Sequence, residues 1–78
     1  SPNGDGSNDK FDLTGLNVSQ LEIYNRLGSK VYSLNNYTKE WFGQADSGEM
    51  LPDGTYYYVI SQGDGTTKTG WIYVNKEN

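Results

Sequence analysis

The 78-residue chain contains no cysteine and no histidine. Without cysteine it can form neither a disulfide nor a thiolate metal site. Without histidine it lacks the commonest general base and the commonest transition-metal ligand together. No nucleophile-and-base constellation can be assembled from what is left, which weighs against an enzyme. Basic residues are scarce as well: six Lys and Arg stand against ten Asp and Glu, for a net charge of −4, and the six do not cluster. A nucleic-acid phosphate or an anionic membrane surface is therefore not the expected partner, and any ionic partner should be a cation or a basic protein patch. No apolar run approaches the roughly 18 residues of a membrane span, and no signal peptide opens the chain. An abrupt start at Ser1-Pro2-Asn3-Gly4 is what a domain cut from a longer protein would show.

Rings and turns are abundant instead. Leu, Ile and Val number only 6, 3 and 4, but seven Tyr, two Trp and two Phe supply apolar area, each ring burying on the order of 150–250 Å². A chain of this length makes one small domain whose core yields only roughly 3–5 kcal/mol. That core must be built largely from rings with polar tips.

Residues 55–61 form the clearest period-2 run, rich in Tyr, Val and Ile, and read as a central strand. Leu51-Pro52-Asp53-Gly54 ahead of it is a turn, in which Pro presets φ, Asp bonds locally and Gly accepts positive φ. Gln62-Gly63-Asp64-Gly65-Thr66 closes a hairpin onto 68–75, where Ile72 and Val74 share one face and Trp71 and Tyr73 the other. A second hairpin is predicted from 20–25 and 30–34 about a turn at 26–29. A helix over 17–27 competes with it, because Val18, Leu21 and Tyr24 lie at helical spacing and Gly28 suits a C-cap. Residues 11–13 are expected to form a short first strand, 37–43 a further short strand or an aromatic corner, and 44–50 a polar loop. Turn signals recur about every 8–12 residues, the pattern of an all-β sandwich.

Two features invite a ligand. Asn3, Asp5, Ser7 and the backbone near Asp9 fall at the first, third, fifth and seventh places of a calcium loop. The twelfth place, where such a loop needs Glu, is Thr14, and the glycine sits fourth rather than sixth. The segment is either a weak extracellular-type calcium site at Asn3, Asp5, Ser7 and Asp9 or a plain Asx-rich turn. Tyr57, Trp71, Tyr73 and Trp41 are either a flat strip for stacking sugars or docking a protein, or core, with Trp41 first in line for burial. The remaining carboxylates (Asp12, Glu22, Glu40, Asp46, Glu49, Asp53, Asp64, Glu77) show no spacing that singles out an acid and base pair. Gly63-Asp64-Gly65 lacks the Lys-Ser or Lys-Thr of a phosphate loop and is a hairpin turn.

Several blocks then fall into one order: Pro2-Asn3-Gly4-Asp5-Gly6-Ser7-Asn8-Asp9-Lys10-Phe11, Leu21-Glu22-Ile23-Tyr24-Asn25-Arg26-Leu27-Gly28, Val31-Tyr32, Tyr37 with Trp41-Phe42-Gly43, Leu51-Pro52-Asp53-Gly54-Thr55-Tyr56-Tyr57-Tyr58-Val59, and Thr69-Gly70-Trp71-Ile72-Tyr73-Val74. Together they resemble the gliding-motility-associated C-terminal domain of Bacteroidetes surface proteins such as motility adhesins, also called the type B C-terminal sorting domain of the type IX secretion system. The resemblance covers essentially the whole chain. Leu27 stands where the family usually has Trp, and Phe42 where it usually has Asp.

The resemblance implies an immunoglobulin-like antiparallel β-sandwich of six or seven short strands. Residues 1–9 would be the junction to upstream cargo and 10–78 a single sorting domain, monomeric when isolated. It implies no catalytic activity and no cofactor beyond the calcium candidate. The cargo would pass through the periplasm and across the outer membrane to the cell surface, with the type IX translocon and a PorP/SprF-like outer-membrane protein as partners. Recognition is expected at the hairpin turn (Asn25, Arg26, Gly28), at Pro52, Asp53 and Gly54, and on the last strand (71–74) with Trp71 and Tyr73, through a strand edge or the loops at one end. The alternative is an extracellular adhesion or carbohydrate-binding module using the aromatic strip.

Overall fold

A computed structural model describes residues 11–74. Among them are four strands, β1 (Val18–Tyr24), β2 (Lys30–Asn35), β3 (Gly54–Gln62) and β4 (Thr67–Val74), and no helix. They form one antiparallel sheet in the order β2-β1-β3-β4.

The hairpin prevails over the helix at 17–27 because alternation places Leu21 and Ile23 on one face, both fully buried, with Gln20, Glu22 and Tyr24 on the other. Val18 is also buried although it lies three residues before Leu21. A bulge between Val18 and Gln20 resets its parity. The turn that follows β1 is held by Asn25, whose side-chain oxygen accepts the N–H groups of Leu27 and Ser29, both at 2.9 Å. Gly28 takes positive φ there (87°), as such a turn needs. The 62–66 turn works similarly, with the Thr66 N–H donating to Asp64 Oδ1 at 2.9 Å.

The register sorts the sheet into a covered and an open face. Leu21 faces Leu34 and Ile60, and Ile23 faces Tyr32 and Tyr58, while Tyr56 faces Ile72 and Gly54 faces Val74. Over this face lies a layer drawn from residues 11–16 and 36–53, centred on Tyr37 and Trp41. The Trp41 ring is wholly buried and its indole N–H donates to the Gln44 carbonyl at 2.6 Å. The Tyr37 hydroxyl is buried by donating to the Phe11 carbonyl (2.5 Å) while accepting the Trp41 N–H (3.0 Å). Both rings thus obey the rule that a buried polar tip needs a partner. Gly70 lies opposite Tyr58, and a Cβ there would stand 2.5 Å from the Tyr58 hydroxyl, so only glycine lets that ring lie flat across β4.

Two expectations change in this covering layer. Residues 11–13 do not form a strand. They run extended and make two backbone bonds, Phe11 N–H to the Trp41 carbonyl and Leu13 N–H to the Thr38 carbonyl. An Asx turn at Asp12, which accepts the Thr14 N–H at 2.9 Å, then ends the pairing. Residues 37–43 take the second of their two predicted forms, the aromatic corner. Four strands therefore stand among the described residues where six or seven were expected, with only an isolated bridge between Gln44 and Met50 in addition. Asn36 at positive φ (56°) and the Ser47-Gly48 turn break the covering layer into pieces too short to pair.

Candidate functional site

The open face carries the site. Tyr24 on β1 lies directly opposite Tyr57 on β3, which lies opposite Trp71 on β4. Three rings thus form a row across three neighbouring strands, perpendicular to the chain, spanning about 10 Å at the usual strand spacing. Tyr57 and Trp71 meet edge to face, with centroids 5.0 Å apart and planes at 62°. Trp71 is 64% exposed and Tyr73 53%. Beside the row, Glu22 and Val59 form the next rung.

At one end of the sheet the 25–29 turn stands next to this row. A groove of about 540 Å³ is lined by Glu22, Tyr24, Asn25, Arg26, Gly28, Tyr57, Val59 and Trp71. A second depression of about 340 Å³ lies across the turn, where Asn25 and Arg26 meet Leu51, Pro52, Asp53 and Gly54. Of the eight residues expected in recognition, Asn25, Arg26, Gly28 and Trp71 line the first depression, and Pro52, Asp53 and Gly54 join Asn25 and Arg26 in the second. Tyr73 shares the open face but lines neither. Asn25 and Gly28 have a structural duty in shaping the turn. Arg26 lies on the exposed flank of that turn, and among the described residues it takes part in no ion pair. Glu22 is paired instead with Lys30, 3.4 Å away.

The two sheet edges differ. Along β2, Asp46 covers the outer side: its N–H donates to the Val31 carbonyl at 3.0 Å and its Oδ1 accepts the Ser33 N–H at 3.1 Å. Along β4, among the described residues, no backbone hydrogen bond reaches beyond the β3 pairing. Such an edge is a ready template for an added strand.

The strip expected from Tyr57, Trp71, Tyr73 and Trp41 is thus divided. Tyr57, Trp71 and Tyr73 share the open face, whereas Trp41 belongs to the core. Tyr24 was missed as a member of the row. Its alternation with Gln20 and Glu22 would have placed it on the open face once the hairpin was preferred. Leu27 is 91% exposed and Phe42 is also exposed, so both positions that depart from the family pattern lie at the surface. The calcium candidate at Asn3, Asp5, Ser7 and Asp9 lies outside the described residues.

Three carboxylates, Asp12, Glu40 and Asp64, have shifted pKa values. Where shifts occur they run downward and stem from hydrogen bonds: from Thr14 to Asp12, from the Thr38 backbone first to Glu40, and from Thr66 to Asp64. Among the described residues no three Asp or Glu gather as metal ligands. The described surface therefore offers apolar stacking, one free guanidinium and an unpaired strand edge, which are means of holding a partner.

Residues 1–74 match the model of the CHU_C type IX secretion signal domain. The chain belongs to that family. The match runs from the opening segment to the last residue of β4, and so covers every described element. No curated protein and no solved structure matches the chain. Membership makes this chain a sorting signal for type IX secretion, which implies interaction with the type IX machinery and export of its cargo to the cell surface or beyond. The family is a non-catalytic one.

Proposed function

We propose that this secretion signal domain is read at the outer membrane by a PorP/SprF-like protein, through the surface formed by the open face, the 25–29 turn and the free β4 edge. The observation that carries this reading is the contrast between the edges: β2 is covered by Asp46, while β4, with Trp71 and Tyr73 on its exposed side, is left open beside the groove by all the described residues. A partner strand added there would gain backbone hydrogen bonds and would rest side chains on the aromatic row. In this reading the 11–16 and 36–53 segments are the second layer of a small immunoglobulin-like sandwich, and the cargo is a large surface protein of the adhesin kind.

The test is to fuse the chain to the C-terminus of a periplasmic reporter in a host that carries the secretion system. Reporter in the medium or on the surface is expected, and a reporter that stays in the periplasm would sink the proposal. Deleting the PorP/SprF-like protein should abolish export of this fusion. The exposure of Trp71 and Tyr73 on one face keeps carbohydrate binding as the second reading, and a glycan array with Trp71→Ala as control decides it. Thermal melting with and without calcium, in the chain and in Asp5→Asn, decides between the cation site and the Asx turn at the opening segment.

A further inference from the structure

We propose that the groove between Arg26 and Trp71 receives an extended segment of a partner protein that carries a carboxylate next to a large apolar side chain, the carboxylate on the guanidinium and the apolar group in the corner where the Tyr57 and Trp71 rings meet. This rests on the export reading and specifies the chemistry of what is recognised.

Charge decides the occupant. The chain as a whole is acidic, so a basic partner would be the first expectation, but the groove has the opposite local balance. Among the described residues that line it, Glu22 is the one carboxylate and is paired with Lys30 at 3.4 Å, while Arg26 is in no ion pair. Arg26 thus brings a positive charge that is in no described ion pair to an otherwise apolar wall of Tyr24, Tyr57, Val59 and Trp71, with Asp53 across the turn in the second depression. A guanidinium accepts a carboxylate through two parallel N–H bonds, a match a sugar hydroxyl does not make. At physiological ionic strength charges more than about 8 Å away are largely screened, so the local charge outweighs the distant acidic groups.

Ring geometry points the same way. A flat stacking strip needs ring faces in one plane, whereas Tyr57 and Trp71 cross at 62° with centroids 5.0 Å apart. Rings in contact at that angle leave a corner beside them, against which a single bulky side chain can pack. The β4 edge beside it, unpaired among the described residues, suits an extended backbone better than a compact ligand.

The experiment is an NMR titration of the 78-residue chain with four probes: capped Thr-Glu-Phe-Thr, its Gln and Lys counterparts, and laminarihexaose as the neutral sugar. Saturable shifts are expected at Tyr24, Tyr57, Val59 and Trp71 with the Glu peptide, which should bind roughly five-fold tighter than the Gln peptide, the upper range for an exposed charge pair. Arg26→Gln should erase that preference, and Trp71→Ala should weaken every peptide roughly ten-fold. If Trp71→Ala does not fold, Arg26→Gln carries the test, because its side chain is exposed. The proposal fails if the Glu peptide gives no saturable shift at millimolar concentration, if the Lys peptide binds as well, if Arg26→Gln keeps the preference, or if the sugar binds these residues more tightly than any peptide. Export of the reporter fusion separates the two levels. A wild-type fusion that is not exported removes the export reading. A wild-type fusion that is exported equally well with Arg26→Glu and Trp71→Ala removes the groove alone.

Discussion

The two tryptophans sit on opposite faces of one four-stranded sheet and meet opposite fates. Trp41 has no exposed surface, whereas Trp71 has 64% of its own. Their chemistry is identical, so the difference comes from what lies over each face. Residues 11–16 and 36–53 fold over the first face and hold Trp41 with a hydrogen bond from its indole N–H to Gln44. Nothing among the described residues folds over the second, and the row of Tyr24, Tyr57 and Trp71 is left to the solvent. One face is spent on stability and the other is kept for contact.

Replacing each tryptophan in turn tests this division most severely. Trp41→Ala should cost about 3–5 kcal/mol, as much as a domain of this size has, and should abolish the cooperative transition in denaturant unfolding. Trp71→Ala should cost about 1 kcal/mol or less, the worth of its contact with Tyr57. Equal losses would end the distinction between the faces.

Next in size is Tyr37→Phe, which deprives the Phe11 carbonyl and the buried Trp41 N–H of their common partner. It should cost about 1–3 kcal/mol in the same measurement. The equivalent change on the open face, Tyr57→Phe, should be close to neutral.

Alkaline pH sharpens the comparison without altering the chain's composition. Burial raises the pKa of Tyr37 well above the phenol value, and burial first, then nearby carboxylates, raises those of Tyr32 and Tyr56. A folded-state pKa above the unfolded value means that the stability linked to these hydroxyls is complete below about pH 10 and is lost as pH rises, because the unfolded chain then releases protons that the folded one retains. Midpoints of unfolding should fall above about pH 10, and Tyr37→Phe should flatten the decline. Trp71→Ala should leave the slope of that profile unchanged.

The smallest effect belongs to the open face. Lys30→Ala removes the ion pair with Glu22 and should change stability by less than about 0.5 kcal/mol, with the difference vanishing at high salt. A larger, salt-insensitive loss would mean that this face has a structural load after all.

How much of this was legible in the residues alone can be judged element by element. The hairpin about the 62–66 turn was, because alternation in 55–61 and the turn chemistry of Asp64 and Gly65 act over a few residues, whereas alternation in 20–24 favoured a hairpin but left the helix over 17–27 open. The separation of Ile72 and Val74 from Trp71 and Tyr73 followed from the same period. The strand expected at 11–13 was not borne out: its composition suits a strand, but a strand needs a partner, and the chain opposite is a curved corner with two carbonyls to offer. The covering of β2 by Asp46 was hidden, since Asp46 and Ser33 are thirteen positions apart and nothing local links them. Arg26 and Trp71 were each singled out, yet their meeting in one groove was not foreseen.

The sequence by itself determined the class, the hairpin about the 62–66 turn, the sides of its two strands and, through its ordered motifs, the family. Those properties depend on local sterics and on a two-residue period, which the chain carries in its order. Only the tertiary structure decided which face the described residues would cover, which edge they would leave open, and that Tyr24, Tyr57 and Trp71 would line up beside Arg26. Such placements depend on strand register and on loops crossing the sheet, and both are settled by the packing of residues far apart in the chain.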